Sequence, residues 1–219
     1  MCLLFSLNIL AHDVAHQARA LAENWGNAAL WDQCDVRLAQ IYFAMGDVPA
    51  AIALLDSVNI DTASAATIDA LLCQSRIEME RDNGDAAVAL ATRASKIADR
   101  LRHADDQEKC YLELASLNWV QKKYKQALAA TDRALSIKPN HSQHAHLYAA
   151  ALLLDMNERD RAAHHLAKIQ SALLRYPDEK NRTWFYYLSS LSVDDAPAQD
   201  WAERAVALAD SLALTDIAW

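Results

Sequence analysis

Histidines are the residues of this chain whose spacing comes closest to a chemical site. Five of the eight histidines cluster at His141, His144, His146, His164 and His165. His141 and His144 are one helical turn apart, and an antiparallel hairpin would bring His164 opposite His144. A metal site also needs a convergent third ligand, however. We therefore interpret these residues as surface histidines and expect no bound metal.

The four cysteines, Cys2, Cys34, Cys73 and Cys110, are spaced too widely for a known cofactor motif. They are more than 30 residues apart, and no CxxC pair occurs. This spacing excludes the usual zinc and redox motifs. We interpret the cysteines as small apolar residues at comparable places in successive repeats. Their unpaired pattern favours a reducing cytoplasm.

Motifs for catalysis are absent from the sequence. No GxGxxG, GxxxxGK[ST], HExxH or GxSxG motif occurs. Neighbouring acids such as Asp105 and Asp106 are typical of helix ends, where carboxylates cap and are solvated. We expect neither an enzyme nor a bound cofactor.

The composition predicts an all-helical protein. The chain has 219 residues, of which 53% are hydrophobic, but only three are Gly and four are Pro. Tight turns between strands normally need more of both residues. A net charge of −8 argues against binding to nucleic acid or to an anionic membrane. The apolar run Met1 to Leu10 is too short to span a bilayer, so we expect no membrane insertion.

An internal repeat organises these helices. Its clearest copy consists of Tyr111, Leu114, Ala115, Tyr124, Ala127, Ala134 and Pro139. This copy resembles the tetratricopeptide repeat, a pattern of about 34 residues. The resemblance implies an all-α, right-handed α-solenoid of stacked antiparallel helix hairpins, a TPR-like superhelix. We expect one domain over residues 1–219 with five to six hairpins, the first and last of them partial or degenerate.

Further copies predict where helices meet and turn. Small residues recur where two helices would cross: Ala39, Ser75, Ala115 and Ala150 on first helices, and Ala51, Ala87, Ala127 and Ala162 on second helices. Gly46-Asp47-Val48 predicts a turn, and Asn83-Gly84-Asp85 predicts a slightly longer one. His12-Asp13-Val14, 34 residues before Gly46-Asp47-Val48, predicts a turn between Met1–Ala11 and Val14–Asn24.

The resemblance also implies that the first helix of each pair lines a concave groove. The inward positions in four successive copies would be Val36, Gln40 and Phe43; Leu72, Arg76 and Met79; Leu112, Ser116 and Trp119; and Leu147, Ala151 and Leu154. The outer members of each set are apolar, which favours a groove for an amphipathic helix or an extended apolar segment. The alternative is that some of these side chains pack between adjacent hairpins. Trp119 and Trp184 are candidate anchors.

One subtype of this family binds the C-terminal tails of heat-shock chaperones. It uses a two-carboxylate clamp of Lys, Asn and Arg, and the matching positions here are Val36, Gln40, Cys73, Lys109 and Glu113. Only Lys109 fits that clamp. We therefore do not expect a chaperone-tail adaptor of that kind.

The function that these features favour is that of a binding module. We expect a bacterial, cytoplasmic scaffold, adaptor or chaperone whose partner is a protein or peptide. The alternative is a sensory, regulatory or assembly segment of a larger signalling or transcription-regulatory protein, suggested by the "TDIAW" ending. A homodimer through the terminal repeats is a further expectation.

Overall fold

The computed structural model describes the backbone of residues 2–138, 142–175, 178–193 and 197–211. It describes side chains for residues 12–138, 142–173, 178–193 and 197–210. These ranges contain eleven α-helices and no strand, which confirms the all-α prediction. The helices are α1 (Cys2–Asn24), α2 (Ala28–Ala44), α3 (Val48–Ser57), α4 (Ala65–Glu80), α5 (Gly84–Leu101), α6 (Ala104–Val120), α7 (Tyr124–Ile137), α8 (Gln143–Asp155), α9 (Arg159–Arg175), α10 (Glu179–Ser192) and α11 (Pro197–Ser211).

The chain divides into two compact units, Met1–Leu117 and Asn118–Trp219. In the first unit α2 pairs with α3, and α4 pairs with α5. In the second unit α8 pairs with α9, and α10 pairs with α11. Within each unit, neighbouring first helices also touch, α2 with α4 and α8 with α10. Each unit therefore contains stacked helical hairpins, and the expected single domain over residues 1–219 stays a prediction.

Small residues lie where the sequence predicted that helices cross. All eight are fully buried, at 0% exposure: Ala39, Ser75, Ala115, Ala150, Ala51, Ala87, Ala127 and Ala162. A larger side chain at such a crossing would force the two helices apart. Around these contacts Leu38, Leu55 and Leu153 are buried as well. The small and large apolar residues that recur in the repeat are therefore the residues that form the core.

The turns inside the hairpins share one backbone geometry. At the end of α2, Gly46 has φ +84° and its N–H donates to the Phe43 carbonyl at 3.0 Å. The Asp47 N–H donates to the Tyr42 carbonyl at 2.8 Å, which completes a Schellman motif. Asp47 then caps α3, because its carboxylate accepts from the Ala50 N–H at 3.1 Å. One left-handed residue therefore ends one helix and its neighbour begins the next.

The same turn recurs after α4, where the expectation of a longer turn is wrong. Here the left-handed residue is Asp82, with φ +63°, and Gly84 is already the first residue of α5. The Asp82 N–H donates to the Met79 carbonyl at 3.1 Å, as the Gly46 N–H does to Phe43. Asp tolerates this conformation better than most residues, so the glycine was not required in the turn. The turn has the length seen at Gly46.

The predicted turn at His12-Asp13-Val14 is also wrong. Helix α1 runs without a break from Cys2 to Asn24, so Met1–Ala11 and Val14–Asn24 do not form a hairpin. None of these three residues has a positive φ, whereas Gly26, two residues after the end of α1, has φ +63°. Without a left-handed residue the helical hydrogen bonds simply continue.

Two prolines lie at the starts of helices. Pro49 lies in the first turn of α3, and Pro197 begins α11. Helices α10 and α11 form the last described hairpin and pack together. Pro139, Pro177, His141 and the "TDIAW" segment lie outside the described residues.

A buried carboxylate joins α1, α2 and α3 in the first unit. Asp35 is only 1% exposed and accepts hydrogen bonds from the Trp31 indole at 2.8 Å and the Ser57 hydroxyl at 2.9 Å. The Arg19 guanidinium also donates to Asp35 and lies 4.8 Å from the centroid of the Trp31 ring. These partners compensate the burial of the charge, which would otherwise be costly.

Candidate partner-binding surfaces

Four of the twelve predicted groove residues have no surface to offer a partner. Val36, Leu72, Leu147 and Ala151 are buried, at 1%, 2%, 0% and 4% exposure. Val36 packs into the core cluster of the first unit, and Leu147 and Ala151 pack into that of the second. Their position on the helix faces the neighbouring helices, as the alternative interpretation expected. We therefore remove these four residues from the ligand-contacting set.

The other eight positions keep some exposure and stay predictions. Gln40, Phe43, Met79, Leu112, Ser116, Trp119 and Leu154 are partly exposed, and Arg76 is exposed. The first unit holds all of these except Trp119 and Leu154, which lie in the second unit. Of the predicted groove residues, only these eight are exposed enough to contact a partner.

Charged side chains of the first unit are paired between first helices. The Arg76 guanidinium on α4 donates from Nε to both Glu113 oxygens on α6, at 2.9 and 3.1 Å. Asp69 on α4 pairs with Lys109 on α6 and lies 3.8 Å from Arg37 on α2. Lys109, the one residue that matched the chaperone-tail clamp, is therefore engaged by a carboxylate of its own chain.

In the second unit, three aromatic rings from three different helices form a continuous series. Trp119 on α6 meets Tyr148 on α8 edge to face, with ring centroids 6.1 Å apart. Tyr148 meets Trp184 on α10 in the same way, with centroids 5.1 Å apart. All three side chains are partly exposed. We call Trp119, Tyr148 and Trp184 the aromatic ladder.

A hydrogen bond and packing against the core hold the aromatic ladder in place. The Trp119 indole N–H donates to the Asp155 carboxylate at 2.6 Å. Trp119 and Trp184 also pack against the core cluster of the second unit. Edge-to-face pairs contribute about 0.5–1.5 kcal/mol each beyond their buried area, so the rings hold one another in place.

Sequence reasoning identified both tryptophans of the ladder but missed Tyr148. The available signal was spacing, because Tyr148 lies 29 residues after Trp119 and 36 before Trp184, close to one repeat each way. Its neighbour Leu147 was chosen instead, and that side chain turns into the core. A shift of one residue rotates a helical side chain by about 100°, which is enough to exchange surface for core.

The histidines pair differently from the prediction. His146 and His165 lie with their Nδ1 atoms 3.0 Å apart, while His144 and His164 are exposed. Burial, and then the charge of His146, lower the pKa of His165 to about 4. Within the described residues, no group of three or more His, Cys, Asp and Glu side chains is placed to hold a metal ion.

The stacked hairpins, their shared turns and the small residues at helix crossings define a tetratricopeptide-type α-solenoid protein. The sequence profile of the Iml2/Tetratricopeptide repeat protein 39 family matches residues 23–194, and the chain belongs to that family. No sequence among curated proteins matches the chain. The predicted repeat family and fold are confirmed.

Solved structures share this fold at low sequence identity. BtubC (BKLC) from P. vanneervenii is 12% identical, with a TM-score of 0.72 over 94% of this chain and 92% of its own. A Podosopora anserina protein with nearly identical TPR-like repeats is 15% identical, with a TM-score of 0.63 over 83% of this chain and 95% of its own. PilF of Pseudomonas aeruginosa is 13% identical, with a TM-score of 0.58 over 96% of this chain and 95% of its own.

The repeat class indicates the general function of the chain. Proteins of this class generally act as non-enzymatic scaffolds that bind other proteins. Among the described helices, none combines the length and the apolar character of a membrane-spanning segment.

Proposed function

We propose that this chain is an adaptor or chaperone-like scaffold that binds a peptide or amphipathic helix of a partner protein, with the aromatic ladder as its main contact surface. The observation that carries the proposal is that Trp119, Tyr148 and Trp184 come from three helices and are all partly exposed. An apolar segment lying across α6, α8 and α10 would meet one ring on each helix.

The physical basis of the proposal is burial of aromatic surface at a low entropic cost. Burying apolar surface contributes about 25 cal/mol per Å², and large aromatic side chains supply more area than any other residue. The edge-to-face contacts already fix the ring orientations, so less side-chain freedom is lost on binding. The exposed Asp155 beside Trp119 favours a partner with a basic residue next to its apolar ones.

The first unit has its own partly exposed members of the predicted groove set. Phe43, Met79 and Leu112 are partly exposed apolar side chains on α2, α4 and α6. They could bury against apolar residues of the same kind of segment. Arg76, one of the predicted positions, is paired with Glu113 and would contribute polarity rather than a binding charge, because the two charges offset each other.

A cytoplasmic location is part of the proposal. Cys34, Cys73 and Cys110 are buried free thiols, which supports a reducing compartment. Burial raises the pKa of Cys73 to about 11 and that of Cys110 to about 12, so neither is a reactive thiolate at neutral pH.

The test is a site-specific crosslink followed by a matched pair of variants. A photoactivatable phenylalanine analogue at position 148 keeps a ring in the aromatic ladder and should crosslink the partner in the native host. The crosslinked partner segment should carry apolar residues at helical or alternating spacing.

The affinity of the purified partner for two variants then shows whether it binds this surface. Trp119→Ala combined with Trp184→Ala should weaken binding at least about tenfold, since each removes an anchor ring. Trp25→Ala is the matched control, because Trp25 is 69% exposed and lies in the first unit. Equal affinity of the double variant and the wild type would refute the proposal.

A further inference from the structure

Three ligand-type atoms converge where α1 lies against α2 in the first unit. The Nε2 atoms of His12 and His16, one turn apart on α1, are 3.1 Å from each other. The Tyr42 hydroxyl on α2 lies 2.9 Å from His12 Nε2 and 3.4 Å from His16 Nε2. The three atoms thus form a triangle whose sides are nearly equal.

The size of this triangle matches the coordination shell of a transition-metal ion. Metal–nitrogen distances of about 2.0–2.1 Å place two ligands about 2.9 Å apart at a right angle and about 3.3 Å apart at the tetrahedral angle. The observed sides of 2.9, 3.1 and 3.4 Å cover the same range. A single ion could therefore reach all three atoms without a large movement of any helix.

Hydrogen bonds also link these three atoms in the absence of a metal ion. His12 Nδ1 lies 3.4 Å from the Asp13 carboxylate, which favours a proton on Nδ1 and leaves Nε2 with a lone pair. The Tyr42 hydroxyl can then donate to that lone pair and accept from a His16 Nε2–H. A metal ion would instead take one lone pair from each of His12, His16 and Tyr42.

We propose that His12, His16 and Tyr42 bind a divalent transition-metal ion of the zinc or copper class. Imidazole nitrogen is a preferred ligand for both metals. Asp13 would act as the outer-shell carboxylate that orients a metal-bound histidine. The third donor is a phenol, so the site differs in kind from clusters of His, Cys, Asp and Glu. It involves neither the aromatic ladder nor a protein partner, and it stands apart from the proposed function.

The test is calorimetric titration of the chelator-treated full chain with zinc chloride and with copper(II) chloride. The wild type should bind one ion per chain. His12→Ala and His16→Ala should each weaken binding at least about tenfold, the scale on which even outer-shell partners act. His103→Ala is the control, because His103 is exposed and its ring bonds only to the Asp106 carboxylate among the contacts described.

Tyr42→Phe separates the three-donor site from a bare histidine pair. Copper(II) bound to the wild type should show a phenolate charge-transfer band in the visible spectrum, and Tyr42→Phe should lose that band and bind more weakly. Circular dichroism confirms that each variant is folded. The proposal is overturned by a wild type without saturable binding, by undiminished binding in His12→Ala, or by Tyr42→Phe with wild-type affinity.

Discussion

The His146–His165 pair predicts a loss of stability in mild acid. Burial comes first among the causes that lower the pKa of His165 from its ordinary 6.5 to about 4, followed by the charges of His146, Lys168, His164 and Arg161. The unfolded chain therefore binds a proton at His165 more readily than the folded chain. The contribution of His165 to the free energy of unfolding is fully present above about pH 6.5 and is lost as the pH drops from 6.5 toward 4.

The size of the effect follows from the two pKa values. At about 1.4 kcal/mol per pH unit, the interval between 6.5 and about 4 corresponds to about 3.4 kcal/mol. His165 is only partly buried, and solvent screens part of the interaction. We therefore expect the pair to account for about 1–2 kcal/mol of the stability lost between pH 7 and pH 4.5.

Urea unfolding at both pH values measures this contribution. His165→Gln removes the titrating group, so the variant should lose less stability than the wild type on going to pH 4.5. Carboxylates contribute to acid unfolding in both proteins and cancel in the difference. His103→Gln, at an exposed histidine, should follow the wild type. The same pH dependence in His165→Gln and in the wild type would refute the reasoning.

Two further substitutions test how the first unit is held together. Asp35→Ala leaves the Trp31 indole N–H and the Arg19 guanidinium without this acceptor and should lower the free energy of unfolding by about 2–4 kcal/mol. Asp56→Ala at an exposed position on α3 should change it by less than about 0.5 kcal/mol, and equal urea midpoints would contradict this. Gly46→Ala should cost about 1–2 kcal/mol because φ is +84° there, while nothing lies within 4 Å of the added Cβ. Gly84→Ala at the first residue of α5 should be neutral or stabilising in the same assay, and the opposite order would refute the assignment of the turn.

Local sequence patterns predicted the repeat well because the contacts within a hairpin join residues that are close in sequence. A small residue at position 39 and another at position 51 predicted one helix crossing, and both alanines are fully buried. Glycine was a less reliable guide. Gly46 is the left-handed turn residue, but Gly84 is not, because Asp82 takes that role one repeat later.

The candidate surfaces were harder to predict because exposure depends on packing between helices. Leu147 and Tyr148 are adjacent and both large, yet one is buried and the other lies in the aromatic ladder. The sequence pattern placed Leu147 in the groove, because a repeat pattern does not show which of two adjacent helical positions faces outward. Only the positions of α6 and α10 decide which of the two side chains reaches the surface.

The amino-acid sequence alone was enough to establish helices, hairpins and the repeat family, since these follow from periodicity and from residue size at helix crossings. Tertiary structure alone decided which polar and aromatic groups meet. Asp69 with Lys109, His146 with His165, and Tyr148 with Trp184 are all separated by at least 19 residues. Such contacts depend on the rotation and spacing of whole helices, which no single segment of sequence encodes.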